Sequence, residues 1–469
     1  MGKDGTTLEQ HKRSRETLFQ LNGIPPFGPA MSLAMQHVVA MIVGCVTPAI
    51  IVANTAGLTQ EQRVLLIQTS LVVAAISTLL QLFPIKLGGR KIRFGSGLPV
   101  IIGISFAYVP SMQAIAGQAN GMAAIAGSMV VGGVVAFLIG LFVTKIRVLF
   151  PPMITGTVVF TIGLSLYPTA INYMAGGTAN TYDLVEGIKG MTEALVYGSW
   201  QNWAIALLTL AVVVALNHYA RGICKLASIL IGMLVGYVVA AMCGMVSFAE
   251  IGAAGWFAAP AVMPFGIVFD PGACIAIGLL FAINSIQAIG DFTATSVGGM
   301  EREPTDEELQ GGITCYGVTN LVSAFFGGLP SATYSQNVGI VSTTKVVNRV
   351  VLGMSACVIL LAGVIPKFSA ILTTIPQCVL GGATITVFSS IAMTGMKLLT
   401  SQGLDSRSSA IVGLSAALGV GVSQASGALA QLPDALVTVI GRSPVVLATL
   451  LAVILNVILP REGKETLKK

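Results

Sequence analysis

The chain has 469 residues, 54% hydrophobic and 9% charged, with a formal net charge of +6 and a mean hydropathy of +0.86. A soluble domain carries about a quarter charged residues, so this composition excludes an ordinary water-soluble globule and fits a bundle of about a dozen helices of ~20 residues each. Three histidines and seven cysteines without a CxxC pair speak against a zinc site, and the excess of basic residues is explained by membrane topology rather than by nucleic acid.

Residues 1–29 form a polar tail of mixed charge with no removable signal peptide behind it. Hydropathy, with breaks at Pro, Gly and charge, then predicts fourteen spans. The first seven fall at about 30–52, 62–84, 95–111, 118–143, 146–168, 201–219 and 222–246. The second seven fall at about 272–292, 310–328, 330–344, 350–366, 373–396, 408–425 and 437–460. The third and tenth are short and interrupted. The cysteines (Cys45, Cys224, Cys243, Cys274, Cys315, Cys357 and Cys378) lie mostly in apolar runs and are expected as buried small residues.

With the N-terminus inside, 21 of the 25 Lys and Arg residues fall on the inner side, leaving Arg63, Lys189, Lys367 and Arg442 outside. That bias would not survive dropping one mid-chain span, so both termini are expected in the cytoplasm of a multi-pass protein of the cytoplasmic membrane. The third and tenth spans also echo each other, as GLPVIIGISFAYV from Gly97 and GLPSATYSQNVGI from Gly328. An offset of seven spans gives the two copies opposite orientations. Inverted repeats with paired interrupted segments point to the solute site of a secondary transporter.

The segment from Gly327 to Arg349 is too polar and too rich in Gly, Ser and Thr to face lipid, so it must line a cavity or pack in protein. Gln336 and Asn337 lie at its centre. Ionisable residues inside spans are few and are functional candidates. Asp291, at the end of the eighth span, could titrate during transport or cap the N–H groups of a neighbouring half-helix. His37, in the first span, could relay protons, bond the solute-binding span, or be satisfied structurally. Gln287 lies one turn before Asp291 on the same helix face. Two buried amides, Gln287 and Gln336, suit a flat solute edged with C=O and N–H groups, and the ring of Phe106 could stack on it. Packing between helices is the alternative for each. The acids between Glu301 and Glu308 are expected to be solvated in a loop.

At these residues the chain resembles the nucleobase–ascorbate transporter family. The family's Gln-Asn-x-Gly signature, with a Thr five residues on, appears as Gln336-Asn337-Val338-Gly339 and Thr344, followed by Lys345 and Asn348-Arg349. Gln36-His37 matches the first-span motif, Ser105-Phe106-Ala107 the third, and Gly290-Asp291-Phe292-Thr293-Ala294 the eighth. Together the motifs cover nearly the whole chain.

The resemblance implies an all-α polytopic membrane protein of fourteen segments in two inverted seven-segment repeats, with short strands in segments 3 and 10. It implies a core domain (30–143 and 272–370) and a gate domain (144–250 and 371–460), with cytoplasmic tails at 1–29 and 461–469. It implies that the core would move as an elevator and the gate would form a homodimer in the lipid, with no cofactor and no enzymatic activity expected. Gln336 would bond the base, Phe106 would stack on it beside Ser105, and backbone near Tyr334 and Ser335 would complete the site. Asn337 would order the loop, and glutamine at 336 resembles the purine branch (xanthine or uric acid). Two positions depart from the family pattern. Gln287 stands where the family usually has Glu, and Tyr316 where many xanthine-type members have Asp. Proton coupling then rests on Asp291, and a facilitative carrier, or one for guanine, hypoxanthine or uracil, stays open. An anion exchanger would need a basic residue near the tenth-span site, where Lys345 lies instead at the cytoplasmic end. An intramembrane enzyme would need a metal pair or a nucleophile, and neither Asp291 nor His37 has such a partner in the sequence.

Overall fold

The computed structural model describes residues 16–86, 93–143, 152–177, 196–248, 251–252, 254–400, 403–425, 427–432, 437, 441 and 443–460. Most of both tails, and the basic positions Arg90, Lys91, Lys145, Arg147, Lys189 and Arg442, lie outside these residues. Seven described helices are long and apolar enough to cross a bilayer: Phe27–Thr55, Gln60–Leu82, Gly121–Leu141, Met153–Met174, Trp200–Tyr219, Pro271–Met300 and Gln377–Thr400. The pair Arg349–Val364 and Pro366–Thr373, bent by 80°, adds an eighth candidate. The chain is a multi-pass membrane protein of predominantly helical fold.

Local chemistry sets the helix ends. Thr59 and Thr305 each begin a helix with a capping box, closed by Gln62 and Glu308 respectively. Asp270 accepts from Ala273 N at 2.7 Å just before Pro271, whose missing N–H costs nothing in the first turn. Pro366 forces the bend after Val364.

Small residues set the helix contacts. Helix Gly121–Leu141 packs on Asp306–Phe325, and helix Pro152–Met174 on Gln377–Thr400. A side chain at Gly317 would run into Phe137 N (2.5 Å) and Gly133 O (2.7 Å), and one at Gly395 into Phe160 Cα (2.6 Å). The driving force inside lipid is this close backbone approach, since burying apolar surface gains nothing there.

Several expectations need correction. The eighth span does not end near residue 292: its helix continues to Met300, and Asp291 lies inside it. Gly290-Asp291 reads as a break, but the carboxylate finds hydroxyl partners elsewhere in the fold, so the helix continues until Glu301 takes a left-handed conformation (φ 56°). The third span extends past 111 into a helix at Val109–Ala116. Glu308 is buried, not solvated, with Arg302 donating to both its oxygens at 2.6 and 2.8 Å. Of the cysteines, Cys45, Cys315 and Cys378 are buried, Cys274 is half-buried, and Cys224, Cys243 and Cys357 are exposed. In a membrane protein an apolar run also faces lipid, so apolar neighbours do not imply burial.

Gly317→Leu should overpack the first helix pair and cost about 1–3 kcal/mol or more, read as a lower melting temperature in detergent. Gly413→Ala, where an added Cβ meets nothing within 4 Å, should leave that temperature unchanged.

Candidate functional site

The two interrupted segments meet as strands. Ile102–Ile104 pairs antiparallel with Ser331–Thr333, in the register Ile102↔Thr333, Gly103↔Ala332 and Ile104↔Ser331. Each strand would still present unpaired backbone groups on its other edge, and in each case one polar side chain takes them up. Thr78 Oγ1 accepts from Ile102 N (3.0 Å), and its one proton is shared between Ile102 O (3.1 Å) and Ala74 O of its own helix (2.8 Å). Asn320 Oδ1 accepts from Ser331 N (2.7 Å) while its Nδ2 donates to Ser331 O (3.2 Å). Irregular backbone is tolerated at this depth where protein supplies its partners, as Thr78 does for Ile102 and Asn320 for Ser331.

A short helix follows each strand. After Ile104, Ser105 caps a turn at Phe106–Tyr108, its Oγ accepting from Ala107 N at 3.2 Å, and the helix Val109–Ala116 follows. After Thr333, Tyr334 precedes the helix Ser335–Thr344. The Tyr334 ring lies across Gly103, where any side chain would collide with it, and its hydroxyl donates to Ile104 O at 2.7 Å. The tyrosine side chain therefore braces the strand pair, and Tyr334 can offer the solute its backbone. Both segments turn helical beside one another, so two sets of first-turn N–H groups and two positive helix ends face the same space.

That space is a cavity of about 220 Å³. One wall carries Ser105, Phe106, Ala107 and Gln287 together with Thr333 through Gln336, and the other carries Val159, Ile162, Ser390, Ile391 and Thr394. Phe106 meets Phe388 edge-on, with centroids 5.3 Å apart and planes at 75°. No described residue hydrogen-bonds the side-chain amide of Gln287 or Gln336, and neither Lys nor Arg is among the described lining residues. A flat, hydrogen-bonding, uncharged or anionic solute fits this chemistry.

Other candidates lie behind the cavity. Asp291 accepts hydrogen bonds from Thr333 Oγ1 and from Ser335 Oγ (2.8 Å), and both of these residues line the cavity. It engages hydroxyls at the start of the half-helix, not the N–H groups that a capping role would have used. His37 is buried, with Asn337 Nδ2 donating to its Nδ1 (3.0 Å) and its carbonyl (3.3 Å), which ties the half-helix to Phe27–Thr55. Two candidates are not brought to the cavity. Tyr316 is buried with its hydroxyl 2.5 Å from that of Tyr108, and Thr344 Oγ1 donates to Ile340 O (2.8 Å) at the far end of the half-helix. Lys345 is also at that end, with Nζ on Gly298 O at 2.6 Å.

The wall formed by Val159, Ile162, Ser390, Ile391 and Thr394 was missed in the sequence. Ser390 and Thr394, one turn apart, bond their own helix through Thr386 O (2.9 Å) and Ser390 O (2.8 Å). A hydroxyl pair at that spacing was the available signal, but hydroxyls bonded back to their own helix are common in spans.

A family model described as "Permease family" matches residues 28–427. The chain belongs to the nucleobase–ascorbate transporter family of permeases. It is 34% identical over 439 residues to uric acid permease PucJ of Bacillus subtilis, covering 93% of this chain and 94% of that one. It is 32% identical over 442 residues to the xanthine permease of the same organism, covering 92% and 94%. Among solved structures it resembles the transmembrane domain of the cyanobacterial bicarbonate transporter BicA, with a TM-score of 0.59 at 15% identity and coverage of 91% and 97%. That similarity concerns the fold alone. As a permease of this family the protein is a transporter and not an enzyme.

Thr78→Val keeps the shape of the side chain but leaves Ile102 N–H and C=O without their partner. It is expected to cost about 1–3 kcal/mol, measured as a lower melting temperature in detergent together with reduced uptake.

Proposed function

We propose that this permease imports a purine nucleobase, xanthine or uric acid, across the cytoplasmic membrane by proton symport with elevator-type alternating access. The observation that carries this reading is the cavity itself. The free amides of Gln287 and Gln336, the Phe106 ring and the half-helix starts at Ser105–Ala107 and Tyr334–Gln336 converge on one small space. An oxopurine has a flat face for the ring and alternating donors and acceptors at its edge. Its carbonyl oxygens suit the N–H groups and positive ends of the two half-helices. The uric acid and xanthine permeases among the relatives support the same solute class.

In this reading fourteen segments form two inverted repeats. The core (30–143 and 272–370) carries the strand pair and most of the solute contacts. The gate (144–250 and 371–460) presents Val159, Ile162, Ser390, Ile391 and Thr394, and it pairs with a second copy in the membrane. Both termini lie in the cytoplasm. The proton is held at Asp291, among the described residues the one carboxylate hydrogen-bonded to residues of the cavity wall. A change in its protonation alters what Thr333 and Ser335 can donate to, and this couples it to the half-helix that holds the solute.

Gln287 favours a second reading, a facilitative carrier or one for guanine, hypoxanthine or uracil. A carboxylate there would only accept hydrogen bonds, whereas the amide both donates and accepts.

Proteoliposomes with and without an inward proton gradient, given radiolabelled xanthine, uric acid and uracil, separate the two. Gradient-driven accumulation of a purine is expected. Equal uptake without the gradient would overturn symport, and uracil outcompeting both purines would overturn the solute assignment. Asp291→Asn is expected to abolish accumulation while sparing exchange of solute across the membrane. Accumulation that survives the substitution places coupling elsewhere.

A further inference from the structure

Among the described residues the hydrogen bonds between the two helix groups lie at one end of the molecule: Gln60 Nε2 to Thr373 Oγ1 (2.6 Å), at the seam where the second part of the gate begins, and three more. Asn54 Nδ2 donates to Tyr173 Oη (3.3 Å), and Thr169 Oγ1 donates to Gln113 Oε1 (3.2 Å). Ser111 Oγ and Ser443 Oγ are 2.6 Å apart. In each of these three pairs one partner, Asn54, Gln113 or Ser111, lies on a helix of the strand-bearing group. The other, Tyr173, Thr169 or Ser443, belongs to helix Pro152–Met174 or to the cap of helix Pro444–Ile458. Gln113 also donates to Thr55 Oγ1 (3.4 Å), which fixes its amide for the bond across. Among the described residues, no hydrogen bond joins the two groups at the opposite end, where Arg302 and Lys345 bond within their own group and Arg349 bonds Gly97 and the tail residue Asn22.

Chain direction gives the side. Phe27–Thr55 ends at Thr55, Pro152–Met174 ends beside Tyr173, and Val109–Ala116 leads away from the cavity through Ser111 and Gln113. With the N-terminus inside, all three bonds face outward and the cavity lies on their cytoplasmic side.

We infer that Asn54–Tyr173, Gln113–Thr169 and Ser111–Ser443 form an outer gate that holds this permease facing inward and must open for solute to enter from outside. The inference rests on the two-domain carrier reading above. The three contacts are neutral, so opening leaves no unpaired charge. Each donor and acceptor can exchange its partner for water at the outer surface, and a bond of this kind contributes only modestly to stability. A few such bonds bias a two-state equilibrium without locking it. Ser111 and Gln113 follow Phe106 in the same segment, so movement of that half-helix carries the stacking ring and the gate contacts together.

The test needs no solute, so it stands or falls separately from the purine assignment. Thr394→Cys places a thiol in the cavity wall, and its labelling by a membrane-impermeant maleimide is read by peptide mass in right-side-out and inside-out vesicles. Labelling is expected chiefly in inside-out vesicles. Adding Ser111→Ala and Gln113→Ala should raise the right-side-out rate by about five-fold or more. Tyr173→Phe, which removes a single hydroxyl, should raise it less, and it serves where the triple variant does not fold. Equal labelling from both sides before the gate is altered would overturn the inference. So would an unchanged right-side-out rate in a gate variant that keeps its melting transition.

Discussion

The backbone of two broken segments has to be satisfied inside a bilayer, and the rest of this structure is arranged around that requirement. Three residues of Ile102–Ile104 and three of Ser331–Thr333 pair with each other, and a two-stranded ribbon still has two open edges. Thr78 serves one edge at Ile102 and Asn320 serves the other at Ser331, each accepting from the N–H and lying within donating distance of the C=O of the same residue. Thr78 lies on the second predicted span and Asn320 on the ninth, which keeps the seven-span offset seen in the Gly-Leu-Pro echo. The two halves reach the same solution with different side chains, since a hydroxyl and an amide can each both donate and accept.

Once the ribbon is fixed, the site follows. Each strand leads into a short helix, and the helix starts are held side by side because the strands are. Orphan N–H groups and positive helix ends therefore accumulate at one place. Gly103 allows the Tyr334 ring to lie over the ribbon, and Asn337 anchors the second half-helix to the His37 segment. Gln287 and Gln336 line the cavity with side-chain amides that bond no described residue. Gln336 is exposed and Gln287 half-buried, not buried as the sequence suggested, so both amides are open to water in the cavity, and a solute that displaces it must match their donors and acceptors.

The scaffold was more legible in the sequence than the site. Hydropathy, basic-residue bias and the repeated tripeptide depend on composition summed over many residues, and such signals survive errors at single positions. The cavity depends on which faces of distant helices meet. Gln287, Gln336, Phe106 and Ser105 could be picked out because a polar or aromatic group in a broken apolar segment is unusual. Val159, Ile162 and Ile391 could not, because an apolar residue looks the same whether it faces lipid, another helix or a solute. Asp291 illustrates the remaining limit. Its sequence context suggested a helix end, but two hydroxyls from a segment 42 and 44 residues away complete its hydrogen bonds and let the helix run on. Tertiary partners of this kind leave no local trace.

In the proposed proton symport, Asp291 and Gln287 would separate two tasks that one acid could perform together. An acid in the cavity wall would touch the solute directly, so its charge would affect both affinity and coupling. Here the cavity-lining position is neutral, and the carboxylate sits one turn further along the helix, bonded to Thr333 and Ser335, through which the proposed coupling would run. Each of those hydroxyls has a single proton to donate, and while it points at Asp291 it can only accept from the solute. Protonating the acid gives it a donor of its own and frees at least one hydroxyl to turn toward the cavity. The hydrogen-bonding face offered to the solute thus changes with the proton while the charge at the contact surface stays the same. A carrier built this way can bind a neutral base and its anion at one site, and it can discriminate between them by the orientation of two hydroxyls.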